Sequence, residues 1–184
     1  MKPHCIEVFQ LCSYLLNYPT KEIYESFSSL EKEVDFTDAP EIKKEIDSFL
    51  SKAQKVTNEQ LATMYVDTFD FGKKTNLYVT YMSNGEQRER AMDLLFIKNY
   101  YKLNGFDCTD LELPDYLPIM LEFASTQNKE SVEMLFTRYI RNILEMIDSI
   151  KNTNEIYGHL VEALRITLNE FDYNAPKREE LEKC

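Results

Sequence analysis

The stretch from Val132 to Ile150 reads VEMLFTRYIRNILEMIDSI, and it carries the strongest structural pattern in the chain. Its apolar residues recur at intervals of three and four, so they line one side of an α-helix. A helix with one apolar side is stable in water mainly when that side packs against other elements. The stretch therefore predicts a long helix in a packed core. The stripe consists of Val132, Leu135, Phe136, Tyr139, Ile140, Ile143, Ile147 and Ile150.

Helix-start signals predict where other helices begin. Asp38-Ala39-Pro40-Glu41 combines an acidic N-cap, an early proline and a capping-box glutamate. Thr57-Asn58-Glu59-Gln60 and Ser83-Asn84-Gly85-Glu86 are two further capping boxes. Pro19 limits a first helix, and a short helix from Thr20 to about Leu30 is expected after it.

The helix that follows Ser83–Glu86 has apolar residues on two sides, which predicts a central helix packed on both. Asn104-Gly105 ends this helix in the manner of a left-handed cap. A last helix is expected from Tyr157 to Phe171. The two stripes of the central helix are Met92, Leu95, Phe96, Tyr100 and Leu103 on one side and Leu94, Ile97 and Tyr101 on the other.

Composition agrees with a helical fold. The chain has 184 residues, enough for one domain with a sizeable core. Only 4 are glycine, and sheet proteins of this size use more glycine in turns and bulges. We expect an all-α, single-domain bundle of about seven or eight helices over residues 1–173, followed by a charged, mobile tail at 174–184. Leu77 to Met82 has strand-like composition, but an isolated strand has no partner, so a helix or an extended connection is expected there.

Charge and cysteine content restrict the function and the compartment. Lys and Arg number 21 against 32 Asp and Glu, which gives a formal net charge of -11. This charge disfavours nucleic acid and favours a basic peptide or a basic protein face as partner. No apolar run is long enough for membrane insertion, and the layout of a signal peptide is missing. The cysteines form no Cys-x-x-Cys pair, so we expect a cytoplasmic protein with reduced thiols, Cys12 in the core and Cys184 in the tail.

One group of side chains could in principle bind a metal. His159 shares a helical face with Glu155 and Glu162. A di-iron site in a helical bundle needs two Glu-x-x-His motifs with further acids, and this is a single reversed fragment. Motifs for phosphate loops, dinucleotide binding and nucleophile elbows are also missing. We therefore expect a solvated helix face, no metal site and no enzyme.

The acids between Asp107 and Asp115 lack the spacing, central glycine and terminal glutamate of a calcium loop. Their pattern predicts an exposed polar connection that caps the next helix. Asp115 would be the N-cap of a helix beginning at Tyr116, and Pro118 would fall in the first turn, where no backbone donor is needed.

Arg88 and Arg90 lie near the amino end of the central helix, where a cation interacts unfavourably with the helix dipole. Their presence indicates an acidic partner inside or outside the chain. An ion pair with the acidic segment is the simplest expectation.

Several short motifs follow one another between Tyr65 and Ala124. They are Tyr65-x-x-Thr68-Phe69-Asp70, Leu77-Tyr78-x-Thr80-Tyr81, Gly85-x-x-Arg88-x-Arg90, Leu94-Leu95-x-x-Lys98-x-x-Tyr101, Glu112-Leu113-Pro114-Asp115-Tyr116-Leu117-Pro118 and Leu121-Glu122-Phe123-Ala124. In this order and spacing they resemble the NarJ family, the nitrate reductase molybdenum cofactor assembly chaperones. That family belongs to the redox-enzyme maturation chaperones that include TorD and DmsD. The segment Glu112–Pro118 is the most specific element, because it holds two prolines and two acids in fixed register.

The resemblance implies a cytoplasmic, all-helical chaperone with no catalytic activity and no cofactor of its own. Such proteins bind the apo catalytic (alpha) subunit of respiratory nitrate reductase and support insertion of its bis-molybdopterin guanine dinucleotide cofactor. They are not part of the final enzyme. A main contact is the basic, amphipathic amino-terminal segment of the catalytic subunit, which resembles a remnant twin-arginine signal.

Polarity divides the motif residues into two groups. Phe69, Leu95 and Leu121 are predicted to pack inside the bundle. The second group is predicted to bind the client or to shape its groove. It consists of Tyr65, Asp70, Tyr81, Arg88, Arg90, Glu112, Pro114, Asp115, Tyr116 and Pro118.

Two other functions stay open at this point. One is a helical scaffold or regulatory protein, which failure to bind any nitrate reductase subunit would favour. The other is a metal-dependent helical hydrolase that uses the acidic segment, which turnover with a divalent metal would favour. The missing histidine and nucleophile motifs argue against the hydrolase.

Overall fold

Eight α-helices form within the residues that the computed structural model describes, which are 1–34, 36, 38–72, 74–81, 87–108, 111–171 and 173. This confirms the predicted all-α, single-domain bundle. The expected tail at 174–184 lies outside the described residues. The helices are α1 (Pro3–Leu15), α2 (Lys21–Glu33), α3 (Pro40–Ala53), α4 (Asn58–Phe69), α5 (Gln87–Leu103), α6 (Leu117–Thr126), α7 (Lys129–Thr153) and α8 (Glu155–Leu168).

The predicted stripe of α7 forms the centre of the core. All of its residues are buried except Ile140, which is half-buried against the core. α8 packs on α7, and α3 and α1 pack on α8. Gly158 allows the close approach of α8 to α7, because a Cβ at this position would lie 3.3 Å from Lys151 Cα. Asn154 lies between the two helices as the C-cap of α7 and the N-cap of α8. Its Oδ1 accepts from the backbone N–H groups of Ile156 and Tyr157 at the start of α8.

Aromatic contacts connect the remaining helices to this core. Phe9 of α1 meets Phe136 of α7 edge to face, with ring centroids 5.9 Å apart. Phe69 of α4 and Tyr157 of α8 are 5.0 Å apart in the same arrangement. α6 packs on α1, and no helix among the described residues is long and apolar enough to cross a membrane.

Most of the local helix signals are confirmed. Thr20 caps α2 by accepting from the N–H of Ile23, and Thr57 and Gln60 form the full capping box of α4. Gly105 has a φ of 70°, as a left-handed cap requires. The capping box predicted at 83–86 lies outside the described residues.

The acidic cap predicted for α3 is wrong. Pro40 occupies the first turn as expected, but the N-cap is Ala39 and forms no side-chain hydrogen bond. The Asp38 carboxylate instead accepts from the His4 ring, with Nδ1 2.9 Å from Oδ2. The Asp38 carboxylate therefore accepts from a side chain of α1 and not from the backbone N–H groups at the start of α3.

The prediction that α5 packs on both sides is also wrong. Ile97 and Tyr101 are buried against the bundle, whereas Met92, Leu95 and Leu103 are 64%, 61% and 84% exposed. Phe96 and Tyr100 of the same stripe are half-buried against the core. α5 lies at the edge of the bundle, so Met92, Leu95 and Leu103 have no helix to cover them among the described residues. Leu95 thus does not pack inside, although Phe69 and Leu121 do.

Candidate functional site

The segment Glu112–Pro118 is held by backbone pairing with residues 77–79. The Val79 N–H donates to the Asp115 carbonyl oxygen at 2.9 Å, and the Leu117 N–H donates to the Leu77 carbonyl oxygen at 2.7 Å. Tyr78 and Tyr116 form an isolated antiparallel bridge between these bonds. Residues 77–79 of the strand-like stretch thus form a short extended connection whose partner is the acidic segment, and a turn follows in which the Tyr81 N–H donates to the Tyr78 carbonyl oxygen.

Asp115 lies at the centre of the site, and two predictions about it are wrong. It is 0% exposed rather than exposed, and the N-cap of α6 is Tyr116, which forms no side-chain cap. The Asp115 Oδ2 instead accepts from the Thr80 N–H at 3.1 Å and from Thr80 Oγ1 at 2.6 Å. The backbone bond to Val79 places Asp115 beside this loop, because the paired chains bring residues 115 and 80 together.

Arg90 supplies the positive charge that a buried carboxylate needs. Its Nη2 lies 3.7 Å from Asp115 Oδ2, and its Nε donates to Thr80 Oγ1 at 3.4 Å. The guanidinium group also lies over the ring of Tyr81, 5.5 Å from its centroid. The predicted ion pair between the arginines and the acidic segment is therefore confirmed for Arg90. Arg88 is exposed and forms no ion pair with the described residues.

Three tyrosines continue the site away from Asp115. The Tyr65 hydroxyl donates to the Leu16 carbonyl oxygen at 3.0 Å and lies 3.3 Å from the Tyr116 hydroxyl. The rings of Tyr116 and Tyr78 are 5.3 Å apart, and the Tyr78 hydroxyl donates to Glu112 Oε2 at 2.7 Å. Burial raises the pKa values of all three hydroxyls above their ordinary value, so they remain neutral hydrogen-bonding groups.

Two carboxylates give this end of the site a negative potential. Burial is the main reason for the raised pKa of Tyr116, and the charges of Glu112 and Asp70 raise it further. Both acids therefore act on the same hydroxyl. Both are exposed, and Asp70 is the C-cap residue of α4. The pair can attract a cation that approaches from solvent.

The two prolines fix the segment to neighbouring helices through their carbonyl oxygens. Pro114 accepts from the Tyr101 hydroxyl of α5 at 2.9 Å, and Pro118 accepts from Ser13 Oγ of α1 at 2.8 Å. Both prolines are buried, and Pro118 lies in the first turn of α6 as predicted. The segment is thus a rigid part of the bundle.

The structure brings most of the predicted site residues together. Tyr65, Tyr81, Arg90, Glu112, Asp115 and Tyr116 join through shared contacts, whereas Asp70 and Arg88 lie on the exposed margin. Sequence reasoning missed Tyr78 and Thr80 as site residues. Both belong to the quoted motif Leu77-Tyr78-x-Thr80-Tyr81, whose fixed spacing was the available signal.

The possible metal ligands on α8 do not converge. His159 Nδ1 lies 2.6 Å from Glu45 Oε2 on α3. Glu155 pairs with Lys52, and Glu162 pairs with Lys151 and Arg165. Each side chain therefore has its own partner on a polar helix face.

Exposed apolar side chains flank the acidic end. Phe71 follows Asp70 and is 79% exposed, while Leu111 and Leu113 flank Glu112 and are 90% and 41% exposed. Exposed apolar groups beside charges and rigid hydrogen-bonded segments are features of protein-binding surfaces. Fold and site together have the features of an all-helical protein with a surface suited to binding another protein.

Comparison with known proteins makes this class specific. The chain belongs to the nitrate reductase delta subunit family, whose model matches residues 35–172. It is 39% identical over 160 residues to the probable nitrate reductase molybdenum cofactor assembly chaperone NarJ of Bacillus subtilis (strain 168), covering 87% of each chain.

Two other relatives match to a smaller extent. Over 72 residues the chain is 35% identical to the nitrate reductase molybdenum cofactor assembly chaperone NarJ of Escherichia coli (strain K12), covering 39% of this chain and 30% of that one. Over 157 residues it is 31% identical to the nitrate reductase-like protein NarX of Mycobacterium tuberculosis (strain ATCC 25618 / H37Rv), covering 85% of this chain and 24% of that protein. The chain thus belongs to the nitrate reductase delta subunit family, and two of these relatives are named as nitrate reductase molybdenum cofactor assembly chaperones.

Proposed function

We propose that this protein is a chaperone that acts in the cytoplasm on the apo catalytic subunit of respiratory nitrate reductase and binds its amino-terminal segment. It supports insertion of the molybdenum cofactor and assembly of the complex. It has no catalytic activity of its own and is not part of the finished enzyme. Membership of the family and the name of the Bacillus subtilis relative support nitrate reductase as the proposed client.

The observation that carries the proposal is the surface around Asp70 and Glu112, which we call the acidic rim. It combines these two exposed carboxylates with the exposed apolar side chains of Phe71, Leu111 and Leu113. A basic amphipathic helix presents the complementary pattern, with apolar anchors on one side and cations beside them. Opposite charges would guide the encounter, and the apolar contacts would supply affinity that salt does not screen.

The proposal gives the predicted site residues two roles. Asp70, Tyr81, Arg88 and Glu112 are exposed and are proposed to contact the client. The others are proposed to hold the surface in shape, because their polar groups are used inside the bundle. These are Tyr65, Arg90, Pro114, Asp115, Tyr116 and Pro118.

Capture of the apo catalytic subunit tests the proposal. Tagged wild-type chaperone should retain the full subunit and should lose most of it when the subunit lacks its amino-terminal segment. The double variant Asp70→Asn/Glu112→Gln should retain less of the full subunit. Glu25→Gln/Glu33→Gln on α2 removes the same charge from exposed positions outside the rim and should behave as wild type.

Equal capture of both forms of the subunit would contradict binding of the amino-terminal segment. Failure to capture either form would contradict the proposed client. If both double variants lost the same amount of captured subunit, the loss would come from the change in net charge and not from the acidic rim.

A further inference from the structure

Three chain segments that are distant in sequence meet at His4. His4 is 4% exposed, and its ring has Nδ1 2.9 Å from Asp38 Oδ2 and Nε2 2.8 Å from Glu170 Oε1. Cys5 is 2% exposed, and its Sγ lies 3.6 Å from Glu170 Oε2. The potential ligand atoms of His4, Cys5 and Glu170 all lie within 4.8 Å of one another.

We propose that His4, Cys5 and Glu170 bind a zinc ion, with Asp38 orienting the histidine. Nitrogen, thiolate sulfur and carboxylate oxygen are the ligands that Zn²⁺ takes in proteins, in tetrahedral geometry. Bond lengths of about 2.0–2.3 Å place such ligand atoms roughly 3.3–3.8 Å apart. The Sγ–Oε2 separation already has this size, and the His4–Glu170 contact must open by about half an ångström to admit the ion.

The contact with Asp38 orients the His4 ring. With carboxylate oxygens 2.9 Å from Nδ1 and 2.8 Å from Nε2, the ring donates from both nitrogens in the metal-free protein. The ion must displace the Nε2 proton, and the bond to Asp38 then keeps Nδ1 protonated and Nε2 directed at Glu170. Most metal-binding histidines have such a second partner, which fixes the ring and increases its basicity. Asp38 therefore has a role in the site without being a ligand.

The site is accessible from one side. A cleft of about 330 Å³, lined by Met1, Lys2, Cys5, Lys129, Glu170 and Phe171, reaches the two ligands Cys5 and Glu170. Three protein ligands leave a fourth position for water or a small anion, as in open zinc sites. Burial of His4 and Cys5 shields the other side of the ion from solvent.

Lys2, the Cys5 proton and the Nε2 proton of His4 compete with the ion. Lys2 Nζ lies 2.9 Å from Glu170 Oε2, but the side chain is 67% exposed and can turn into solvent. Burial and the charge of Glu170 raise the pKa of the Cys5 thiol to about 11. The negative charge of Glu170 repels a Cys5 thiolate, and a zinc ion between the two would attract both groups. Binding forms Zn–S and Zn–N bonds, breaks the S–H bond of Cys5 and the Nε2–H bond of His4, and releases both protons to water.

The proposal has a structural consequence. His4 and Cys5 belong to the first turns of α1, Asp38 precedes α3, and Glu170 follows α8. A zinc ion would therefore connect the two ends of the described bundle. It should stabilise the folded chain by mass action, since the unfolded chain does not hold the three ligands together.

Cobalt titration of the chelator-treated full chain tests the site, because Co²⁺ replaces Zn²⁺ and is visible by absorption. Wild type should show a near-ultraviolet thiolate-to-cobalt band that saturates at one ion per chain, and added Zn²⁺ should abolish it. Cys5→Ser should lose the band, whereas Cys108→Ser, a matched change at a half-buried cysteine, should keep it. Asp38→Asn should weaken binding by about tenfold or more.

Two further variants separate a metal site from a set of hydrogen bonds. Zn²⁺ should raise the melting temperature of wild type but not that of Glu170→Gln, which keeps the shape of the side chain. Lys2→Met removes the competing ammonium group and should tighten Co²⁺ binding. Absence of the thiolate band, an equal band in Cys5→Ser, or an equal Zn²⁺ shift in Glu170→Gln would overturn the proposal and leave His4 as a hydrogen-bonded link between Asp38 and Glu170.

Discussion

The helices α7 and α5 have similar sequence patterns and different positions in the molecule. Each carries apolar residues at intervals of three and four. The stripe of α7 lies in the core, whereas three residues of the outer stripe of α5, Met92, Leu95 and Leu103, are exposed. Periodicity therefore predicts that a helix forms and which residues share a side, but only the arrangement of the other helices decides whether that side is covered.

The two helices therefore have different expected roles, α7 in the stability of the fold and α5 in the surface proposed to bind the client. α7 stabilises the bundle through burial of its apolar stripe and through the Asn154 junction with α8. α5 instead contributes Arg90 and Tyr101 to the segment that carries the acidic rim. We expect changes in α7 to act on the free energy of unfolding, and changes on the exposed margin of the site to act on client binding.

The largest effect should come from α7. Phe136→Ala removes a fully buried ring that packs on Phe9, and should lower the free energy of unfolding by about 3–5 kcal/mol. Leu95→Ala on the exposed side of α5 should change it by less than about 0.5 kcal/mol. Urea unfolding monitored by circular dichroism measures both. Similar losses in the two variants would show that the outer side of α5 is covered after all.

Asp115→Ala should have the next largest effect. It removes the carboxylate that accepts from the Thr80 N–H and Oγ1 and that pairs with Arg90 in the buried site, so we expect a loss of about 3 kcal/mol in unfolding free energy. Asp115→Asn keeps an acceptor for Thr80 but removes the charge. It also places an amide group where Oδ1 has no hydrogen-bond partner among the described residues, so a loss of about 1–2 kcal/mol is expected.

These two variants distinguish the buried site from a simple helix cap. If Asp115 acted only as an N-cap, asparagine would be nearly harmless, because it caps as well as aspartate. Thermal melts of both variants beside Arg90→Lys give the comparison. A stable Asp115→Asn protein would contradict the assignment of Asp115 to the ion pair with Arg90.

A smaller effect is expected where α5 ends. Gly105 has a φ of 70°, and a Cβ there would meet no atom within 4 Å. Gly105→Ala should therefore cost about 1–2 kcal/mol from backbone conformation alone. Gly105→Asn should recover part of the loss, since asparagine tolerates this conformation better. Equal stability of Gly105→Ala and wild type in chemical unfolding would contradict the left-handed cap.

Local features of the fold were predictable and distant ones were not. The capping box at Thr57 and Gln60, the left-handed Gly105 and the stripe of α7 each depend on residues within a few positions. The burial of Asp115 depends on Thr80, 35 positions away, and on Arg90. A pattern of alternating polar and apolar residues contains no information about such partners.

The candidate site was predicted in part for the same reason. The motif residues indicated the correct part of the chain, and the predicted attraction between Arg90 and the acidic segment is present. Which motif residues are exposed follows from tertiary packing, so Tyr65 and Asp115 could not be distinguished from Asp70 and Glu112 by polarity. The meeting of His4 and Cys5 with Glu170 joins opposite ends of the chain and has no local signal.

Calorimetric titration with a peptide of the catalytic subunit's amino-terminal segment tests the central claim, that the acidic rim binds the client while α7 stabilises the fold. Asp70→Asn/Glu112→Gln should raise Kd roughly fivefold at low salt, about 1 kcal/mol for two exposed charges, with an unchanged melting temperature. The difference from wild type should shrink as salt rises, because the lost attraction is screened. An unchanged Kd at low salt, or a loss equal to that of Glu25→Gln/Glu33→Gln, would contradict the account.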